Sequence, residues 1–498
     1  MPDTDRPPFL PLFWAAHPHL FHELQLPSVM AHRLRMLMHS VGTAEQGNVP
    51  PAPGCVFVVR RDGQPFISLG HGWARAPHGG ADDDHLPMTE NTVVQTASMS
   101  KPITATAVLA MFDDWAAMFE QLQALPPAPA ALPSGDDRTN LPAALLPISA
   151  DGRVAARIVA ESLQHRFPGD WKALIVAAAQ RFQADSAGPH SSYPLLEGLL
   201  MSVLRGFPNR ANAWLPADPN TIYVDLIDRR LRREAARLGL SVTYGGDLQL
   251  IAVSQFLKQA SGMREEQEDD GPVSQPPDGG LATFDLWRRM ISLLAGGSHH
   301  GGQYLNANYT ALSALIEAVT ELKYVDWVRY RVLNDTRFSM IGRRPEPNML
   351  AAKYYGEDFE NTPGVSFSDY TNWSGNGGWY VTAAQFTDWM HVLYSGAPYG
   401  HAGRPIVSDL NRGWLFEPGQ AFTGGAVRSL IDAAGRHYQG YEHNGGAGVN
   451  GGSVSGKMSV IVPNRDGHVY TAFLLANGPV IAESLFDPMI ATLMANLD

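Results

Sequence analysis

The feature that most limits the possible folds is a pair of predicted β-hairpins, one near each end of the chain. Residues 55–60 and 65–70 are short apolar runs on either side of an Asp62-Gly63 turn. Residues 453–462 and 470–476 repeat this pattern near the other end. Such runs, bounded by turn residues, are typical of strands. They predict an α+β fold with one antiparallel sheet built from both chain termini.

Between the hairpins the apolar residues recur with helical spacing. The predicted helices cover residues 28–41, 105–112, 154–166, 171–184, 193–204, 222–238, 253–263, 284–294, 310–322 and 383–394, and a last one covers 481–496. Gly262 is the predicted C-cap of the helix over 253–263. The sheet is therefore expected to be flanked by helices.

Ser98 and Lys101 are three residues apart, just before the predicted helix over 105–112. If this helix begins near Ser98, the two side chains lie on one face, about one turn apart. Pro102 is compatible with this start because the first helical turn has no partner for the N–H that proline lacks. The pair is a candidate nucleophile with an amine beside it. For this spacing alone, the alternative is an N-cap serine followed by a surface lysine.

Composition argues against several classes of partner. The 498 residues include 49 acidic and 37 basic side chains, a net charge of −12, and no block of Lys or Arg, so we expect no nucleic-acid partner. The single cysteine, Cys55, lies in an apolar run and predicts a buried structural thiol. Tandem His299-His300 has no carboxylate or thiol at ligand spacing, so we expect no metal and no cofactor.

The sequence also bears on localisation. It does not open with a basic segment followed by an apolar core, as a signal peptide would. No apolar run approaches the roughly 18–20 residues needed to cross a membrane. We therefore expect a soluble, cytoplasmic protein without a membrane partner, and the sequence gives no oligomeric state.

Four segments of the chain match motifs of one protein family. Ser98-Met99-Ser100-Lys101 matches S-x-x-K, and Tyr304-Leu305-Asn306 matches Y-x-N. His443-Asn444-Gly445 matches the H-x-G form of the element that is K-T-G in penicillin-recognising members. Residues 256–263 are similar to the segment LLxHTSGL, with Gln259 in place of the histidine. The chain thus resembles the serine β-lactamase and penicillin-binding-protein superfamily, specifically its class C-like branch, which includes class C β-lactamases, family VIII carboxylesterases, D-aminopeptidases and related acyltransferases.

The resemblance implies a β-lactamase/transpeptidase-like fold, in which an all-helical domain lies beside the sheet. It also implies that Ser98 is the nucleophile and that Lys101 and Tyr304 are catalytic. A serine hydroxyl needs a base at neutral pH. Tyr304 can be that base only if positive charge stabilises its phenolate, and Lys101 is the natural source of that charge.

For substrate binding, the resemblance implies roles for Asn306, His443, Gly445 and Gly446. Asn306 can donate to the substrate carbonyl or hold Lys101. His443 replaces a cationic lysine, so its charge is expected to vary near pH 7. The backbone N–H groups of Ser98 and Gly446 would form the oxyanion hole. Gly445 would let its strand approach closely without a side chain.

The likeness divides the chain into three parts. Residues 1–49 are an N-terminal extension with one helix. Residues 50–114 and 245–498 form the β-lactamase-like serine hydrolase domain, and 115–244 form a mostly helical insertion. We predict that the insertion caps the pocket and selects large apolar acyl chains, and a dimer contact is the alternative.

The predicted function is a serine hydrolase that works through an acyl-Ser98 intermediate on a small-molecule ester or amide. A carboxylesterase is the preferred form, because H-x-G lacks the lysine that pairs with the carboxylate of β-lactam and D-Ala-D-Ala substrates. A D-amino-acid peptidase or amidase, a β-lactamase and an acyltransferase are the alternative enzymes. A catalytically silent binding protein is the alternative outside enzymes, and it would tolerate Ser98→Ala.

Overall fold

The computed structural model describes Leu34, Leu37 and residues 52–76, 85–124, 217–263, 285–297, 304–320, 322–338, 341–343, 351–356, 363–366, 369–400, 403–416, 427–431, 437–449, 452–463, 467–479 and 482–495. The predicted helices over 154–166, 171–184 and 193–204 lie outside these ranges, as do most of the predicted extension and residues 125–216 of the predicted insertion. None of the helices in the described ranges has the length and apolar character required to span a membrane.

Seven strands of the described chain form one sheet, in which every neighbouring pair is antiparallel. The strands are β1 (Gly54–Arg61), β2 (Gln64–Arg75), β3 (Leu86–Pro87), β6 (Val427–Ile431), β7 (His437–Val449), β8 (Gly452–Pro463) and β9 (Tyr470–Ala476). Their order across the sheet is β3-β2-β1-β9-β8-β7-β6. The pairing of β1 with β9 joins the two hairpins. The predicted sheet from both chain termini is confirmed.

Side chains alternate between the two faces of this sheet, as strand geometry requires. Phe57 and Leu474 pack with α9 (Ala482–Met494) on one face. Val56 and Phe473 face the larger core, which includes α7 (Ala383–Ser395). Each face is therefore covered by a different part of the chain, and the helices that carry the candidate site belong to the larger core.

A helical domain surrounds α5 (Asn306–Thr320), whose residues 307–320 are all buried. Its helices are α1 (Lys101–Ala124), α2 (Tyr223–Leu238), α3 (Val253–Leu257), α4 (Leu286–Gly296) and α6 (Tyr324–Arg331). Helix α8 (Asp409–Phe416) packs against α1. Tyr223, within the predicted insertion, donates to the Ala311 carbonyl oxygen at 2.8 Å. The mixed α+β architecture agrees with the predicted fold class, and the domain limits stay a prediction.

Two local features differ from the sequence analysis. Helix α3 ends at Leu257 and not at Gly262, because Gln259 takes a left-handed conformation with φ 60°. A two-stranded ribbon of β4 (Val93–Gln95) and β5 (Tyr380–Thr382) was not predicted. A two-stranded ribbon this short is not stable by itself, so its pairing depends on packing against the rest of the fold.

Candidate active site

Ser98 lies in a tight 3-10 turn, Ala97–Ser100, between β4 and α1. Ala97 has a φ of 45°, which is unusual for a residue with a Cβ, and its N–H donates to Gln95 Oε1 at 2.7 Å. The Thr96 N–H donates to the Trp379 carbonyl oxygen at 2.9 Å. The end of the β4–β5 ribbon thus holds the start of the turn, and helix α1 begins at Lys101, three residues after Ser98.

Lys101 is completely buried and donates three hydrogen bonds. Its Nζ lies 2.7 Å from Ser98 Oγ, 2.7 Å from Asn306 Oδ1 and 2.9 Å from the Asn376 carbonyl oxygen. An ammonium group has three donors, and these acceptors use all of them. In its protonated form Lys101 places positive charge beside Ser98, donates to all three acceptors and has no lone pair to accept the serine proton.

Tyr304 extends the cluster toward solvent. Its ring centroid lies 4.8 Å from Lys101 Nζ and 6.1 Å from the ring centroid of His443, and about half of the residue is exposed. Tyr309 presents a second ring to the same ammonium, at 5.8 Å. Four residues predicted from distant parts of the sequence, Ser98, Lys101, Tyr304 and Asn306, are thus brought together around one buried charge.

His443 is buried, and its surroundings keep it neutral. Burial, followed by the positive charge of Lys101, lowers the pKa of His443 from 6.5 to about 3. Nδ1 lies 2.7 Å from the Asn444 carbonyl oxygen, which can only accept, so Nδ1 carries the proton. Nε2 is then an acceptor, without a protein partner among the described residues. The expectation that this side chain changes charge near pH 7 is wrong, because the sequence does not show burial beside Lys101.

Gly445 lies directly against the Ser98 turn. A Cβ added there would be 2.5 Å from the Thr96 carbonyl oxygen and 3.1 Å from the Met99 backbone nitrogen. Gly456 pairs with Gly445 from the neighbouring strand β8, and a Cβ added to Gly456 would be 2.3 Å from Met99 Cε. Two facing glycines therefore make the flat surface on which the turn rests. Gly446 is the next residue and is exposed on the same strand.

Sequence reasoning missed the loop that supplies the third acceptor of Lys101. The buried guanidinium of Arg343 donates to backbone carbonyl oxygens of Tyr370, Trp373, Ser374 and Gly377. These bonds hold the loop that presents the Asn376 carbonyl oxygen. Burial lowers the pKa of Arg343 to about 10, so it stays charged at neutral pH. The glycine-rich run over 374–378 was visible in the sequence, but its partner was not.

The described residues contain no group of three histidine, cysteine, aspartate or glutamate side chains that could hold a metal ion. The tandem His299-His300 lies outside them. The cluster around Lys101 consists of hydroxyl, amine, amide and imidazole groups, which suit acyl transfer from a serine. The roles assigned to its individual residues stay predictions.

Comparison with known proteins finds similarity in the segment that carries Ser98 and Lys101. Residues 46–115, which include Ser98 and Lys101, match the Beta-lactamase family. No curated protein sequence matches the chain significantly.

Several solved structures share the fold at low identity. A penicillin-binding protein homologue from Pyrococcus abyssi is 11% identical, with a TM-score of 0.52 over 94% of this chain and 77% of its own. A class C β-lactamase from Rhodobacter sphaeroides is 12% identical, with a TM-score of 0.50 over 94% of this chain and 100% of its own. SurE is 14% identical, with a TM-score of 0.50 over 94% of this chain and 76% of its own. The segment that carries Ser98 and Lys101 is thus similar to the Beta-lactamase family, and the chain shares the fold of class C β-lactamase and penicillin-binding-protein-homologue structures.

Proposed function

We propose that this protein is a carboxylesterase that works through an acyl-Ser98 intermediate. The observation that carries the proposal is the Lys101 ammonium, which donates to both Ser98 Oγ and Asn306 Oδ1 and lies beside the Tyr304 ring. A positive charge at this point favours the deprotonated forms of Ser98 and Tyr304. Burial, and after it the same charge, lowers the pKa of the neighbouring His443 and keeps this side chain neutral.

Acylation begins when Tyr304, as the phenolate, takes the proton from Ser98 Oγ. The serine oxygen attacks the ester carbonyl carbon, and the carbonyl electron pair moves to its oxygen. Backbone N–H groups of Ser98 and Gly446 stabilise that oxyanion, which is worth a few kcal/mol for a donor of this kind. Collapse of the intermediate breaks the carbon–oxygen bond to the leaving alcohol, which receives the proton from Tyr304.

Deacylation repeats these steps with water as the nucleophile. Tyr304 takes a proton from the water, the resulting hydroxide attacks the acyl carbon, and the bond to Ser98 Oγ breaks. The proton returns to Ser98, and the carboxylic acid leaves. The half-exposed position of Tyr304 gives water access to this group.

The neutral state of His443 supports an ester substrate over one that carries a carboxylate. In members with K-T-G, the lysine of that element pairs with the substrate carboxylate. His443 presents an uncharged acceptor from the corresponding strand, and a substrate anion would gain no ion pair from it. Neutral acyl donors are therefore favoured.

The same side chain supports an amide of an amino acid as the second candidate. Nε2 of His443 is a buried acceptor without a protein partner in the described part of the chain. An ammonium or amide N–H of the substrate would satisfy it, and a buried acceptor gains most from such a donor. A D-amino-acid peptidase or amidase is the enzyme that would use this contact.

The proposal is tested by measuring the mass of the intact protein after incubation with p-nitrophenyl esters, a D-amino-acid amide and a penicillin. We expect a mass gain at Ser98 with the esters, together with release of p-nitrophenol, and neither with Ser98→Ala. Tyr304→Phe is a matched variant, since it removes one hydroxyl and keeps the ring beside Lys101. Its acylation should be about 10²–10⁴-fold slower, the usual contribution of a general base.

The relative rates decide between the candidates. Faster turnover of the amide than of any ester would favour the amidase. Faster reaction with penicillin would favour a β-lactamase, and acyl transfer to an added alcohol in preference to water would favour a transferase. Absence of an adduct with all of these probes would contradict the proposed hydrolase and favour a binding protein.

A further inference from the structure

The side chain of Gln259 connects the turn after α3 to the segment that carries Tyr304 and Asn306. Its Oε1 accepts hydrogen bonds from the Leu305 backbone N–H at 3.0 Å and from Asn308 Nδ2 at 2.6 Å. Leu305 lies between Tyr304 and Asn306 in the chain. The first bond therefore acts on the backbone at the centre of this segment.

Asn308 reinforces the connection from the first turn of α5. Its Nδ2 donates to Gln259, and its Oδ1 accepts from Ser261 Oγ. All three side chains are buried. Hydrogen bonds of this kind are strong in a low-dielectric interior, and the loss of one partner leaves the other unsatisfied. The start of α5 thus has one favoured position relative to the turn over 259–261.

Gln259 holds this position despite two unfavourable features. Its φ of 60° lies in the left-handed region, which residues with a Cβ seldom occupy. Its Nε2 is buried and has no partner among the residues that the structure describes. Such features persist only where the surroundings determine the conformation, and they are concentrated at functional sites. Here the surroundings are the segment of Tyr304 and Asn306.

We propose that Gln259 is a positioning residue for acylation, whose Oε1 sets the place of Tyr304 and Asn306 around Lys101. The inference rests on the proposed function, because it assigns Gln259 to acylation of Ser98. Asn306 Oδ1 lies 2.7 Å from Lys101 Nζ, and the Tyr304 ring lies 4.8 Å from the same atom. Both distances change if the backbone at Leu305 moves. The Gln259 side chain acts on the reaction only through the positions of Tyr304 and Asn306, which its hydrogen bond to the Leu305 N–H sets.

The test compares Gln259→Ala and Gln259→Gly with wild type in the burst of p-nitrophenol released from p-nitrophenyl acetate. We expect acylation to be about 10–100-fold slower in both variants, the range produced by displacements near 1 Å. The pH at half-maximal acylation should rise, because a phenol further from the Lys101 ammonium is harder to deprotonate. Glycine is favourable at a φ of 60°, so Gln259→Gly keeps the fold while it removes the hydrogen bonds.

Gln259→Glu is the rescue variant, since a carboxylate retains both acceptor positions, and it should acylate within about tenfold of wild type. Gln255→Ala is the matched control. Gln255 Oε1 also accepts from a backbone N–H, that of Ala252 at 2.9 Å, but Gln255 is exposed and this hydrogen bond lies at the start of α3. Its rate and pH profile should equal those of wild type.

The outcomes separate this inference from the proposed function. Lack of acylation in wild type would overturn both. Normal acylation in wild type with unchanged rates and pH profiles in Gln259→Ala and Gln259→Gly would overturn the inference alone. If acylation is slower, the melting temperature is lower and the pH profile is unchanged, the inference is also overturned. Gln259 would then contribute to stability and not to the positions of Tyr304 and Asn306.

Discussion

Replacement of Gly445 with alanine tests whether acylation requires the close approach of β7 to the Ser98 turn. A Cβ on residue 445 would lie 2.5 Å from the Thr96 carbonyl oxygen, 3.0 Å from Met99 Cγ and 3.1 Å from the Met99 backbone nitrogen. Two of these atoms belong to the backbone. Rotation of the Met99 side chain therefore cannot relieve the overlap, and the strand and the turn must separate.

The size of the effect follows from these distances. An ordinary contact for a Cβ begins at 3.4 Å, so the distance to the Thr96 oxygen must grow by about 0.9 Å. A displacement of this size beside a nucleophile lowers the rate about 100-fold. Insertion of a methyl group into a packed interior lowers the free energy of unfolding by about 1–3 kcal/mol. We expect both a slower acylation and a lower stability. The change in acylation rate should be the easier of the two to measure.

The assay is the burst of p-nitrophenol from p-nitrophenyl acetate, measured beside denaturant unfolding. Gly448→Ala is the control on the same strand, since the nearest atom to its added Cβ is the Gly452 carbonyl oxygen at 3.8 Å. That variant should keep the stability and acylation rate of wild type. Acylation by Gly445→Ala within about threefold of wild type would refute the argument that this contact positions Ser98.

Three further predictions concern charged or titratable groups. Lys101→Met keeps the buried stem and removes the ammonium donors, so we expect acylation to be about 10²–10⁴-fold slower in burst kinetics. His443 has a pKa lowered by burial to about 3 in the folded protein and 6.5 in the unfolded chain, so its contribution to stability is present above pH 6.5 and is lost as the pH falls toward 3. Denaturant unfolding between about pH 7 and about pH 4 should therefore show a steeper loss in wild type than in His443→Asn, by up to about 1.4 kcal/mol per pH unit, and equal slopes would contradict the lowered pKa. Arg343→Lys should lower the free energy of unfolding by about 2–3 kcal/mol, because one ammonium cannot reach all the carbonyl oxygens that the guanidinium holds, and an unchanged denaturation midpoint would refute this.

Several elements could be predicted because the information for them is local. The hairpin of β1 and β2 follows from two apolar runs and an Asp62-Gly63 turn, and the register confirms it. The three-residue spacing of Ser98 and Lys101 is enough to bring the two side chains to one face, and their atoms lie 2.7 Å apart. Strand alternation and helical periodicity depend on neighbours in sequence, and so they can be read from the sequence.

Other features could not be predicted because they depend on contacts between distant segments. The end of α3 was placed at Gly262 from a local C-cap pattern, but Gln259 leaves the helix and bonds to Leu305. The carbonyl oxygen of Asn376 has no sequence signature, since every residue carries such an oxygen. Its use by Lys101 depends on where Arg343 holds the loop.

The difference is clearest at His443. The residue type and its H-x-G context indicate which strand faces the nucleophile, and they suggest a charge that varies near neutral pH. Its actual state depends on how deeply it is buried and how close Lys101 lies, and both result from packing of β7 against the Ser98 turn. Local pattern thus specifies the elements and the chemical groups of the site. Burial and proximity, which set protonation and hydrogen bonding, arise when segments hundreds of residues apart pack together, because desolvation and Coulomb interaction depend on distance in space.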